Sequence, residues 1–214
     1  YTSSSVSANE NNTKIQQYSL LVPWEVNSAV YEQEATISGV TAIHDIEFNA
    51  DGSRMYLLDD GGATLYVRQY NLGTAWNIST APGAASSSKS LTTLINGGGL
   101  QFSPDYSKLY VAGASGSVGY VTDLTFSPAG EDIANTTQTT TKTLTSAPTG
   151  VSGLRFSADG TKLVISSSGN TILYQYSLTV GWNLASASVS YLGSYSTGYT
   201  VSDISSNDDG TKLY

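Results

Sequence analysis

One phrase of nine residues recurs along this chain and constrains its fold more than any composition could. Phe48-Asn49-Ala50-Asp51-Gly52-Ser53-Arg54-Met55-Tyr56 returns as Phe102-Ser103-Pro104-Asp105-Tyr106-Ser107-Lys108-Leu109-Tyr110 and as Phe156-Ser157-Ala158-Asp159-Gly160-Thr161-Lys162-Leu163-Val164. A fourth copy, Ser206 to Tyr214, keeps Asp209-Gly210-Thr211-Lys212-Leu213-Tyr214. The aspartates fall at 51, 105, 159 and 209, so the steps are 54, 54 and 50 residues. A period of that length describes an array of similar units, each too small to bury its own apolar face and stable only against its neighbours.

Each unit reads as four short strands. Ile46 and Phe48 alternate with Asp45 and Glu47, as a half-buried strand requires. The Asp-Gly or Asp-Tyr that follows is a hairpin signal, because glycine supplies the positive φ of a tight turn. A second strand runs through Met55-Tyr56-Leu57-Leu58 and its counterparts, and Asp59-Asp60-Gly61-Gly62 reads as the next turn. The third strand carries Gln69-Tyr70-Asn71-Leu72 or Gln175-Tyr176-Ser177-Leu178, and a variable Ser/Thr-rich strand closes the unit. No segment has a sustained helical period. The predicted fold class is therefore all-β, a β-propeller of four-stranded antiparallel blades.

The whole of 1–214 reads as one domain, with repeats at approximately 41–96, 97–148 and 149–200, and a last blade built from 201–214 joined with 1–40. Sharing that blade between the termini would close the ring, although a segment of a larger propeller fits the same spacing. Trp24, Trp76 and Trp182 each stand four residues after the Leu of the third strand and are expected to act as structural wedges between blades. The copy at Val121-Thr122-Asp123-Leu124 lacks the Tyr and the Trp, so its blade is expected to be the loosest.

Composition narrows the function. The formal net charge of −8 excludes a basic nucleic-acid surface, and no apolar run is long enough to insert into a membrane. Cysteine is absent, which removes thiolate chemistry. The single histidine, His44, has no Gly-x-Ser-x-Gly elbow near it, so a serine triad is not expected. On the inner strands, Asp45, Gly99, Gly153 and Asp203 are equivalent and should face the axis. In a closed ring Asp45, Asp203 and His44 would meet, a candidate site for Ca²⁺ or Mg²⁺. No other cofactor is expected.

Phe102-Ser103-Pro104-Asp105 followed by Leu109-Tyr110-Val111 resembles β-propeller repeats of the surface-layer and lactonase-like type. The longer unit ending Trp182-Asn183-Leu184-Ala185-Ser186-Ala187 is similar to repeats in uncharacterised surface or tail-fibre proteins of marine bacteria and their phages. With a Tyr-, Asn- and Ser-rich surface, this implies a non-enzymatic extracellular, cell-surface or virion module. Its expected partners are a protein subunit or a surface glycan, met through the rim loops, with homo-oligomer or particle assembly as a further reading. The resemblance also implies an enzymatic alternative, a lactonase-like propeller hydrolase, and a filament or particle subunit as another.

Overall fold

The computed structural model describes residues 2–5, 12–23, 25–128, 132–146, 150–185, 189–207 and 209–214. Among the described residues, every regular element apart from three short 3-10 turns is a strand. The first sheet has three, in the order β1 (Thr2–Ser5), β2 (Asn12–Leu20) and β3 (Ala29–Ser38). The second joins β4 (Ile43–Phe48), β5 (Arg54–Asp60), β6 (Leu65–Asn71) and β7 (Ser87–Leu91). The third joins β8 (Asn96–Phe102), β9 (Lys108–Ser115), β10 (Val118–Thr125) and β11 (Thr137–Thr143). The fourth joins β12 (Val151–Phe156), β13 (Lys162–Ser167), β14 (Ile172–Leu178) and β15 (Val189–Ser196). Every pairing is antiparallel between chain neighbours, which makes the protein an all-β, propeller-like array.

The recurrent aspartate locks the first hairpin of each unit. Its Oδ1 accepts the backbone N–H two residues on: Ser53 at 2.9 Å from Asp51, Ser107 at 3.1 Å from Asp105, Thr161 at 3.0 Å from Asp159 and Thr211 at 2.9 Å from Asp209. Gly52, Gly160 and Gly210 all take φ of 69°, and Tyr106 holds 55° in the same place. The Ser157 hydroxyl, and after it the Thr161 N–H, hold the Asp159 carboxyl down to about 2.

Strand alternation feeds two interfaces at once. Met55 and Leu57 of β5 pack toward the first sheet with Ile15 and Ile37, whereas Tyr56 and Leu58 pack toward the third sheet with Leu109 and Val111. All eight side chains are fully buried. A middle sheet is covered on both faces, so its second strand must be continuously apolar, as Met55–Leu58 and Leu109–Ala112 are.

Four expectations change. Asp59 and Asp60 end β5, and the turn itself starts at Gly61, with Asp60 Oδ1 accepting the Gly62 N–H at 2.8 Å. The fully buried Asp59 receives Arg68 Nε at 2.6 Å and the N–H groups of Thr41 and Ala42. In the third sheet Tyr110 stands opposite Asp123 as Tyr56 stands opposite Gln69, so the counterpart of Gln69–Leu72 is Asp123–Phe126, two residues later than the sequence suggested. That sheet is not loose: Leu124 and Ile133 are fully buried, and Phe126 lies 5.8 Å from the Phe102 ring and 6.2 Å from the Tyr56 ring.

Among the described residues, strand pairing does not join 201–214 to the first sheet. Residues 205–207 and 209–214 form a hairpin of their own, with Ser206 bridged to Leu213. Among the described residues no backbone pairing joins that hairpin to β1, β2 or β3. The second-strand place in the first sheet is already taken by β1, where Thr2 stands opposite Gln16.

Trp76 and Trp182 do occupy matching environments, though as caps on their own hairpins. Each N–H donates to the turn glycine, Trp76 to Gly52 O at 2.9 Å and Trp182 to Gly160 O at 3.2 Å. Their rings lie 5.3 Å from Phe48 and 4.9 Å from Phe156. Trp182 also reaches Tyr110 of the preceding sheet at 5.7 Å, whereas Trp76 is 47% exposed. Trp24 lies outside the described residues.

Candidate functional site

Three inner strands, β4, β8 and β12, and the segment 203–206 line up side by side, each tied to the next by a side chain. Asp45 Oδ2 accepts Leu100 N–H at 2.6 Å, Gln101 Oε1 accepts Phe156 N–H at 2.7 Å, and Arg155 Nε donates to Ser206 Oγ at 3.1 Å. Close approach requires the glycines between them. A Cβ on Gly99 would stand 2.6 Å from Leu154 N, and one on Gly153 would stand 2.9 Å from both Asp203 Oδ1 and Ile204 N.

At the end carrying the aspartate turns, these strands open into a groove of about 870 Å³. Glu47, Gln101 and Arg155 lie on its floor strands, and Tyr106, Trp182 and Asn207 contribute to its walls. Glu47 is the distinctive group. Burial raises its carboxyl to about 7, while the Arg155 charge and the Phe48 N–H pull the other way and Asp203 adds a smaller push upward. A carboxyl raised by burial to about 7, in a cleft it shares with Arg155 and aromatic walls, has the attributes of a proton-transfer site.

The cation candidate is assembled only in part. Burial first, and then the charge of Asp203, raise Asp45 to about 8, so these two carboxyls do come within electrostatic reach. Burial also raises Asp203. His44 turns elsewhere: its Nε2 lies 3.8 Å from Asp60 Oδ2, and its ring rests against Gly97, where a Cβ would stand 2.2 Å from Cδ2. Among the described residues no group of three or more carboxylate or imidazole side chains is placed to hold an ion.

Glu47 and Arg155 were not singled out in the sequence. The signal was present, since Glu47, Gln101 and Arg155 are one repeat apart and so share a position on successive inner strands. Their meeting in a groove needed coordinates.

No protein-family model matches the chain, and no curated protein matches it. Solved structures do. A candidate 6-phosphogluconolactonase of Bacteroides uniformis superimposes with a TM-score of 0.60 at 17% identity, over 97% of this chain and 61% of that one. A second, from Bacteroides fragilis, gives 0.56 at 12% identity over 90% and 52%. The β-propeller domain of Myceliophteria thermophila Cps50 (Swd1) gives 0.51 at 13% identity over 92% and 59%. The chain thus spans between 52 and 61% of the length of these proteins, and at such identities the likeness is one of fold.

These neighbours overturn the expectation that the chain is not an enzyme, because the fold it shares over nearly its whole length is also that of two candidate 6-phosphogluconolactonases. The lactonase-like side of the resemblance is the side these structures carry. Its tail-fibre and particle-surface side has no support among them. No helix among the described residues is long and apolar enough to cross a membrane.

Proposed function

We propose that the chain is a lactonase-like hydrolase acting in the groove between Glu47 and Arg155 on a small, hydroxyl-rich lactone. The observation that carries this reading is the Glu47 carboxyl, held at about 7 beside the Arg155 guanidinium in a groove of about 870 Å³. Ionised Glu47 takes a proton from water as the water oxygen bonds to the lactone carbonyl carbon. Arg155 stabilises the negative charge that develops on the carbonyl oxygen. The ring C–O bond then breaks, and the leaving alkoxide takes the proton back from Glu47, giving a hydroxy acid that ionises in solution. The faces of Trp182 and Tyr106 suit the C–H face of a sugar ring. The fold shared with the two Bacteroides proteins supports the substrate class.

Hydrolysis of 6-phosphogluconolactone and of unphosphorylated gluconolactone, corrected for spontaneous opening, tests the proposal. Activity should rise with pH through a midpoint near 7, as Glu47 loses its proton. Glu47→Gln should lower kcat by roughly 10²- to 10⁴-fold with the fold intact. A folded protein giving no acceleration with either lactone, or an unimpaired Glu47→Gln variant, would refute it.

A further inference from the structure

The Gln101 side chain is anchored at one end and open at the other, on the groove floor between Glu47 and Arg155. Its strand, β8, has β4 on one side and β12 on the other, so its surroundings come from inner strands of this chain in both directions. Oε1 accepts the Phe156 N–H at 2.7 Å. A backbone N–H can only donate, so the atom that meets it is the amide oxygen, and this fixes which way round the amide lies. Nε2 is therefore the end turned away from that N–H.

Among the described residues Nε2 donates to no protein group. Nor is it one of the polar atoms sealed from solvent without a partner, which are Tyr70 Oη, Ser87 Oγ and Asn170 Oδ1. Gln101 as a whole is only 9% exposed and lines the groove, so its small open part includes the NH₂ group and gives onto that space. Holding the amide by its oxygen removes the rotamer freedom that a ligand would otherwise have to freeze. What the groove meets here is a positioned donor with no acceptor of its own.

We infer that Gln101 Nε2 donates to the carbonyl oxygen of the lactone, sharing that oxygen with the Arg155 guanidinium, while Glu47 stands on the other side of β8. This rests on reading the groove as a lactone site. It adds a second donor where negative charge develops, one that needs no rearrangement during the reaction. It also restricts the ligand, because an oxygen acceptor fits over Gln101 and an ammonium group does not.

Anchor and donor can be separated by substitution. Gln101→Glu keeps an oxygen for the Phe156 N–H and loses the amide donor, whereas Gln101→Met loses both. Gluconolactam, whose ring nitrogen resists hydrolysis, reports binding, and gluconolactone turnover reports the reaction. In isotope-labelled native protein the Gln101 NH₂ signals, assigned by their loss in both variants, should shift on saturation with the lactam. Both variants should bind the lactam about tenfold more weakly. Both should also lower kcat for gluconolactone by roughly 10²- to 10³-fold, compared on the high-pH plateau because Gln101→Glu brings a second carboxylate near Glu47. Unmoved NH₂ signals or undiminished lactam binding in Gln101→Glu would overturn the inference. So would full turnover in Gln101→Glu with loss only in Gln101→Met, which would leave the side chain a strap between two strands. Lactam binding that depends on Gln101, without acceleration of any lactone, would uphold the donor and refute the hydrolase reading alone.

Discussion

Asp45 and Glu47 sit two residues apart on β4, and both are raised by burial, yet they are put to different use. Asp45 accepts the N–H groups of Ile46 at 2.7 Å and Leu100 at 2.6 Å, so its carboxyl stitches two inner strands. Its value of about 8 against an ordinary 3.8 means that the folded state holds a proton which the unfolded chain has released. This favours folding at low pH and is lost as pH rises through that window. Asp45→Asn keeps an acceptor and removes the charge. Denaturant titrations should therefore show the variant gaining on the native protein between pH 5 and pH 9, and equal losses at both pH values would contradict this. Glu47 instead faces the groove, where Arg155 holds its value down. Arg155→Met should move the activity midpoint above 7 and slow the reaction by about 10²- to 10³-fold, read from a pH–rate profile. At the turn, Gly160→Ala must hold φ of 69° and place a Cβ 2.3 Å from the Trp182 ring. It should cost more than about 1 kcal/mol by thermal unfolding, the scale of αL strain alone.

At the scale of the strand, what holds each sheet is a mixture of legible and illegible parts. The hairpins could be read directly, since Asp-Gly at a fixed offset from Phe both locks and reverses the chain. The third strands could be read where Gln-Tyr-x-Leu survives, as at Gln69 and Gln175. The third sheet misled because Val121 to Leu124 mimics that phrase by composition, while strand pairing sets Asp123 in the glutamine position. The role of Asp59 was hidden for a different reason. An Asp-Asp-Gly-Gly string has turn chemistry, and only the tertiary fold shows Arg68 arriving from the adjacent strand. Arg68 also stacks on the Tyr66 ring, 4.9 Å from its centroid. Arg68→Met should leave a buried carboxylate unpaired and cost about 3 kcal/mol or more in chemical denaturation, because losing one partner of a buried pair exposes the full desolvation penalty of the other. Asp59→Asn in the same background should recover part of that loss.

Over the whole molecule, the repeat positions chemistry as well as sheets. Successive inner strands present Glu47, Gln101 and Arg155 at one position, and residues equivalent by sequence become a buried carboxyl, a strap to Phe156 or a donor to Ser206 according to their neighbours. The sequence carried the array and the equivalent positions on successive inner strands. It could not show which end opens, since a groove depends on how far adjacent strands approach, and here that is set by glycines at 99 and 153. Nor could it show that His44 leans toward Asp60. The most direct test of the account is a carboxyl-carbon NMR titration of Glu47 in the folded protein, assigned with Glu47→Gln. A midpoint near 7 that climbs in Arg155→Met is the predicted result. A midpoint near the ordinary 4.5, unmoved by the loss of Arg155, would contradict it.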